Sequence, residues 1–201
     1  MSMVELRVSG YGGQGIIRCG LIIGKATSLY EGKNATLTQS FGPEARGSAC
    51  SAQLVISDEP VLYPYVTKPR VLISMSQEAY NKFASTLPDA GTLIIDDDLV
   101  NPGEVGRGIK VYSIPATRFA EELGARIAAN ICMIGFFTAV TQMASPESMK
   151  KALDGLVPSR YMELNLKAFD RGYEYGLEKV KEIGVAHIEG WSPMPQEVSA
   201  G

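Results

Sequence analysis

One histidine, His187, and three cysteines, Cys19, Cys50 and Cys132, are spread over 201 residues. That scarcity removes whole classes of chemistry. The cysteines are odd in number and widely separated, so they make neither a disulfide framework nor a CxxC metal or iron–sulfur motif. They read as reduced structural thiols of a cytoplasmic protein. His187 lies near the C-terminus with no Ser or Cys arrangement beside it, which speaks against catalysis. Basic clusters are missing as well: the net charge is −3 and the pI about 5.3, whereas nucleic-acid binders usually carry a basic footprint. The most apolar stretch, Ile127–Val140, is too short to cross a bilayer and reads as a buried helix. Glu5 stands where a signal peptide would have its basic and apolar regions. Nucleic acid and membrane are therefore not expected partners. A composition of 45% apolar and 20% charged residues suffices for one substantial domain and excludes whole-chain disorder.

The patterning is that of an α/β chain. Val4, Leu6 and Val8 alternate as a short strand to Ser9, and Ile16 to Tyr30 is helix-forming and proline-free, with Gly32 as its stop. Ala35–Thr38, Ala49–Ser57, Arg70–Met75, Thr92–Ile95 and Ile109–Ile114 read as further strands, and Val61–Tyr63 as a small hairpin strand. Helices are expected over Gln77–Ala84, capped by Ser74 or Ser76, and from about Thr117 to Gln142 with a break near Ala129–Asn130. A short helix should follow Ser145-Pro-Glu, and a last one, capped by Ser159, should run from Arg160 to Glu182. The expected architecture is α/β: three layers, with a Rossmann-like mixed or mostly parallel sheet and helices on both faces. Residues 1–183 form that domain and residues 184–201 an extended C-terminal tail. The run from Ile127 to Phe137 has Asn130 as its only polar side chain. It is too apolar for one face of a surface helix, so either the domain core or a partner surrounds it.

Between the first strand and helix, Gly10, Gly12 and Gly15 satisfy G-x-G-x-x-G in the required strand–turn–helix context. Gly10 permits the turn, Gly12 lets backbone approach a phosphate, and Gly15 allows close packing of the helix on its strand. Gly13 adds freedom, Gln14 offers an amide that donates and accepts, and the helix start attracts an anion. The alternative is a tight turn packed against a neighbouring subunit. A dinucleotide enzyme would need a carboxylate roughly 20 residues on, closing the second strand. Here that strand ends in Thr36-Leu-Thr-Gln39, and Glu31 precedes Gly32. No GxxxxGK[ST] phosphate loop occurs either.

Tyr11, Thr38, Ser40, Glu44 and Arg46 lie in or beside loops after strands, where α/β folds gather ligands. Arg46 either clamps a carboxylate or phosphate, or pairs with Glu44. Asp96-Asp97-Asp98 suggests magnesium, but adjacent carboxylates on a strand do not face one ion, and a solvated strand end is the simpler reading. Cys19, one turn into the first helix, is placed where a dipole lowers a thiol pKa; its neighbours Ile16, Ile17, Leu21 and Ile22 favour packing. No catalytic set and no metal site is expected.

Three motifs in order, Gly10-Tyr-Gly-Gly-Gln-Gly15, Phe41-Gly-Pro-Glu-Ala-Arg-Gly47 and Gln53-Leu-Val-Ile-Ser-Asp58, resemble the gamma subunits of the 2-oxoacid:ferredoxin oxidoreductases. The likeness covers about residues 4–180 and is nearest to the 2-oxoglutarate enzyme. It implies a non-catalytic gamma-type domain of a complex with thiamine diphosphate, magnesium and iron–sulfur clusters in other subunits. That complex converts a 2-oxoacid and coenzyme A into an acyl-CoA and carbon dioxide while reducing ferredoxin, or the reverse. The implied partners are alpha and beta catalytic subunits and a ferredoxin-like delta subunit. The implied cofactor-binding residues are Gly10, Tyr11, Gly12, Gly13, Gln14, Gly15 and Arg46, facing coenzyme A. Relatives often carry a second glycine where this chain has Ser48. Pyruvate and branched-chain 2-oxoacid enzymes share the pattern, and a free-standing nucleotide or coenzyme A module remains the alternative from another class.

Overall fold

The computed structural model describes residues 3–41 and 49–191. Arg46, Glu44 and most of the second motif lie outside them. Six strands, β1 (Met3–Tyr11), β2 (Asn34–Ser40), β3 (Ala49–Ser57), β4 (Val71–Ser74), β5 (Thr92–Asp96) and β6 (Lys110–Ile114), form one sheet in the order β2-β3-β1-β4-β5-β6. β1, β4, β5 and β6 run parallel, and β3 is inserted antiparallel between β1 and β2. The sheet is mixed and mostly parallel, as expected. Val61–Tyr63 joins no strand, and Leu62 is 94% exposed; the segment pairs with neither edge of the sheet.

The period of two decides which residues meet which layer. Val4, Leu6 and Val8 of β1, with Val71, Ile73 and Ile94, enter the large core cluster. Leu72, Leu93 and Ile95 point the other way, onto Ala79 and Phe83. Five helices cover the first face: α1 (Ile16–Lys25), α3 (Ala116–Glu122), α4 (Ala129–Thr141), α5 (Pro146–Ala152) and α6 (Met162–Ile183). α2 (Gln77–Phe83) lies on the second. Ser76 caps α2 by accepting from Ala79 N at 3.2 Å, and Ser145 caps α5 from Ser148 N at 3.2 Å. Ser159 makes no capping bond; it opens a 3-10 turn, Ser159–Tyr161, ahead of α6. α1 ends in a π-helical turn, Ala26–Tyr30, where Thr27 Oγ1 donates back to Ile23 O.

All thirteen residues of α4 are buried within this chain alone, so the run from Ala129 onward is domain core, while Ile127 at its start is 73% exposed. The tightest neighbour of α4 is α6. An added methyl would sit 2.0 Å from Phe169 O at Gly135 and 1.9 Å from Cys132 O at Gly172, so the two backbones touch. The break before α4 comes earlier than expected, at Leu123–Ala125, where Gly124 takes φ 77°; a 3-10 turn, Arg126–Ala128, then leads into the helix. Residues 184–191 return over the domain without regular structure. Ala186 N donates to Val140 O at 2.8 Å, the Tyr112 hydroxyl donates to Gly184 O, and Ile188 and Trp191 are buried. No helix among the described residues is long and apolar enough to cross a membrane.

Candidate functional site

The carboxyl ends of β1, β4 and β5 open on one cleft of about 300 Å³. Gly13 and Gln14 line one side. Thr117 of α3 and Arg126, Ala129 and Asn130 at the entry to α4 line the other, with Met75 and Leu99 as apolar wall.

The turn out of β1 is closed by Gln14 N donating to Tyr11 O at 3.2 Å, with Gly13 at φ 100° and Gly15 at φ 76°. Gln14 is a staple. Its Oε1 accepts from Tyr11 N at 2.7 Å, and its Nε2 donates to Met75 O, just beyond β4, at 2.8 Å. Both ends of the amide are thus occupied inside the chain, and the loop is braced. A methyl on Gly10 would fall 2.5 Å from Gln14 Oε1, so that glycine makes room for the staple. Gly12 and Gly13 are exposed, and a methyl on either would touch nothing within 4 Å; the open side of the turn faces outward. Gly15 is tight for a reason the sequence did not reveal. The close neighbour is Asn130 of α4, whose Nδ2 would lie 2.1 Å from a Gly15 methyl.

The electrostatics of the cleft suit an anion. α1 begins with no capping side chain and no acidic residue in its first turn, and the helical entry Arg126–Ala128 into α4 is the same. The start of α1, next in the chain to Gly13 and Gln14 of the cleft wall, therefore carries a partial positive charge. Arg126 adds a cation, exposed and 3.4 Å from Glu121 Oε1.

The other sequence candidates disperse. Tyr11 stands at the loop with an exposed ring. Thr38 and Ser40 lie on edge strand β2, separated from β1 by β3, and line no part of the cleft. Glu31 accepts from Ser145 N at 2.8 Å and Ser145 Oγ at 2.9 Å, so its carboxylate secures the start of α5. Asp96 is fully buried, contrary to the solvated strand end expected. Its Oδ2 accepts from Thr117 N at 3.0 Å and Thr117 Oγ1 at 2.6 Å, anchoring α3, and its Oδ1 accepts from Asp98 N. Burial pushes the Asp96 carboxyl above its ordinary value against those hydrogen bonds. Asp98 accepts from Arg118 through both backbone N–H and guanidinium. The three carboxylates lie together, yet two are committed to α3, and they do not fit a magnesium–diphosphate site. The cysteines do not fit a cluster either: burial pushes the Cys19 and Cys132 thiols up to about 12, and Cys50 also rises. The dipole effect considered for Cys19 is overwhelmed by desolvation. Sequence reasoning missed Asn130, Arg126 and Thr117 as cleft residues; the one available signal was Asn130, the lone polar residue of an apolar run.

A family model for pyruvate ferredoxin/flavodoxin oxidoreductase matches residues 5–175. The chain is 47% identical over 176 residues to 2-oxoglutarate synthase subunit KorC of Methanocaldococcus jannaschii, covering 87% of this chain and 94% of that protein. It is 33% identical over 184 residues to pyruvate synthase subunit PorC of the same organism, covering 88% and 99%. Among solved structures, the gamma subunit of the keto/oxoacid ferredoxin oxidoreductase of Geobacter sulfurreducens matches at 36% identity with a TM-score of 0.76, over 87% of this chain and 99% of that one. With its staple-braced glycine turn opening a βαβ sheet of this topology, the chain belongs to the pyruvate ferredoxin/flavodoxin oxidoreductase family.

Proposed function

We propose that this chain is the gamma subunit of a 2-oxoglutarate synthase. The single observation that carries the choice of substrate is the identity of 47% over 176 residues to a 2-oxoglutarate subunit against 33% to the pyruvate subunit of the same organism. In such a complex 2-oxoglutarate loses carbon dioxide, its succinyl carbon is transferred to the coenzyme A thiol, and the electron pair released passes through iron–sulfur clusters to ferredoxin. Thiamine diphosphate, magnesium and the clusters belong to alpha, beta and delta partners, since the carboxylates and thiols described here do not suit them. The complex works in the cytoplasm.

What this chain contributes is a rigid anion-facing wall. Gly10, Tyr11, Gly12, Gly13, Gln14 and Gly15 would present the diphosphate of coenzyme A to the start of α1, with Gln14 bracing the loop and Arg46 a further cation from the second motif. The uncapped start of α1 and the open faces of Gly12 and Gly13 support that reading. The test is reconstitution. The chain co-expressed with alpha and beta subunits should co-purify with them and restore coenzyme A-dependent ferredoxin reduction with 2-oxoglutarate well above pyruvate, while the chain alone is inactive. Turnover by the isolated chain, or equal rates with both 2-oxoacids, would overturn it.

A further inference from the structure

Asn130 stands near the start of α4, 2% exposed, and its Nδ2 is buried with no hydrogen-bond partner. An unpaired buried amide costs free energy that an apolar side chain of similar size would not. Every other residue from Ile127 to Phe137 is apolar, so the exception falls where the polypeptide alone gains least from it. The amide leads with its nitrogen toward α1: a Gly15 methyl would lie 2.1 Å from Nδ2 and 3.3 Å from Cγ. That is the α1 start left without a capping side chain or a nearby acid.

Asn130 is also held in place from two directions. The Cys19 thiol of α1 donates to the backbone carbonyl of Asn130 at 3.7 Å, and its raised pKa keeps that hydrogen in place at physiological pH. Two residues further along α4, the Cys132 carbonyl packs against Gly172 of α6. A donor fixed in this way loses little entropy on meeting a ligand. We propose that Asn130 donates through Nδ2 to an oxygen of the phosphate group held at the α1 start, making the entry to α4 the second wall of the anion subsite and Asn130 a binding residue for a diphosphate ester. This rests on the reading that the glycine turn takes the diphosphate of coenzyme A. An amide suits the place because it donates without bringing a charge into the core.

The experiment uses the assembled complex carrying Asn130→Asp, Asn130→Ala or, as a control on the loop, Gly12→Val. Gly12 has open space around it, so its added side chain blocks the ligand face without a clash in the free protein. Coenzyme A affinity is measured by calorimetry, together with KM for coenzyme A and for 2-oxoglutarate and the melting temperature. The α1 start recovers only part of the desolvation cost of a buried carboxylate, so Asn130→Asp should melt below wild type, and the melting temperature confirms that the complex is folded where affinity is read. This variant should bind coenzyme A about ten-fold or more weakly, with the same rise in KM and none in KM for 2-oxoglutarate. Asn130→Ala should show a smaller loss in the same direction. Wild-type affinity in both, alongside weakened binding in Gly12→Val, overturns the role of Asn130 and leaves the loop reading standing. Wild-type affinity in all three removes both. A structure of the wild-type complex with coenzyme A decides the matter without any variant: an Nδ2–phosphate oxygen distance below about 3.2 Å supports the proposal, and a phosphate out of reach refutes it.

Discussion

Replacing Gly15 with alanine should destabilise the chain by two separable effects, and a second substitution should remove one of them. Gly15 has φ 76°, a left-handed conformation that costs a residue with a Cβ about 1–2 kcal/mol. The new methyl would also lie 2.1 Å from Asn130 Nδ2. It must gain well over an ångström, and Asn130 is fixed by its burial and by Cys19. Overpacking of that kind adds about 1–3 kcal/mol. The sum is about 2–5 kcal/mol, or a melting temperature lowered by roughly 5–15 °C for a domain of this size. In Gly15→Ala/Asn130→Ala the methyl occupies the space that the amide leaves, so only the backbone cost should remain. Thermal unfolding of wild type, both single variants and the double variant closes the cycle. The double variant should be more stable than the sum of the singles predicts by about 1–3 kcal/mol. Additive effects within about 0.5 kcal/mol would show that the amide does not press on Gly15 and would refute the geometry of the cleft.

Gly172→Ala, whose methyl would lie 1.9 Å from Cys132 O, should cost more than about 2 kcal/mol in thermal unfolding although alanine is the better helix former by about 1 kcal/mol. Gly24→Ala in α1, with Leu54 Cδ2 at 3.3 Å as its nearest contact, should stay within about 1 kcal/mol of wild type. The native chain should resist thiol alkylation at pH 8 at Cys19 and Cys132, both raised to about 12 by burial, and label them only on denaturation; labelling of the folded chain would refute this. Asp96 has a carboxyl pKa raised by burial, so the folded state binds that proton more tightly than the unfolded state. Its contribution to stability therefore grows as pH falls from neutral through the folded value toward the ordinary carboxylate value. Asp96→Asn should lose that pH dependence while keeping an acceptor for Thr117, which parallel melting curves from neutral to mildly acidic pH would test.

The strands were legible where composition framed them. Ala49–Ser57 is an apolar run stopped by Asp58-Glu-Pro60, and the observed strand has those bounds. Its position was not legible, because insertion antiparallel between β1 and β2 depends on pairing across the chain, such as Leu6 with Leu54 and Leu37 with Leu54. The break before α4 had a local signal in Gly124, but the apolar and alanine-rich sequence beyond it carried the eye to Ala129–Asn130. Val61–Tyr63 has strand composition but pairs with no strand, which only the tertiary structure reveals. Ser159 is the first residue of a 3-10 turn whose cap position is Pro158, and nothing in the residue type separates that from a capping position.

The site divides along the same line. Strand, glycine turn and helix are consecutive in the chain, so periodicity and glycine spacing were enough to find Gly10–Gly15. The opposite wall is contributed by residues more than a hundred positions away, and Asn130 gave only the faint signal of a polar residue in an apolar run. The structure makes those two halves interdependent. Gly15 is glycine both because its φ is positive and because Asn130 occupies the volume of its side chain. Gly10 leaves the space in which Gln14 staples β1 to the end of β4. At Gly10 and Gly15, though not at Gly12, the glycine spacing is therefore a record of side chains elsewhere that need the room. At Gly15 that side chain is an unpaired donor at an uncapped helix start, the two features that the proposed phosphate contact would join.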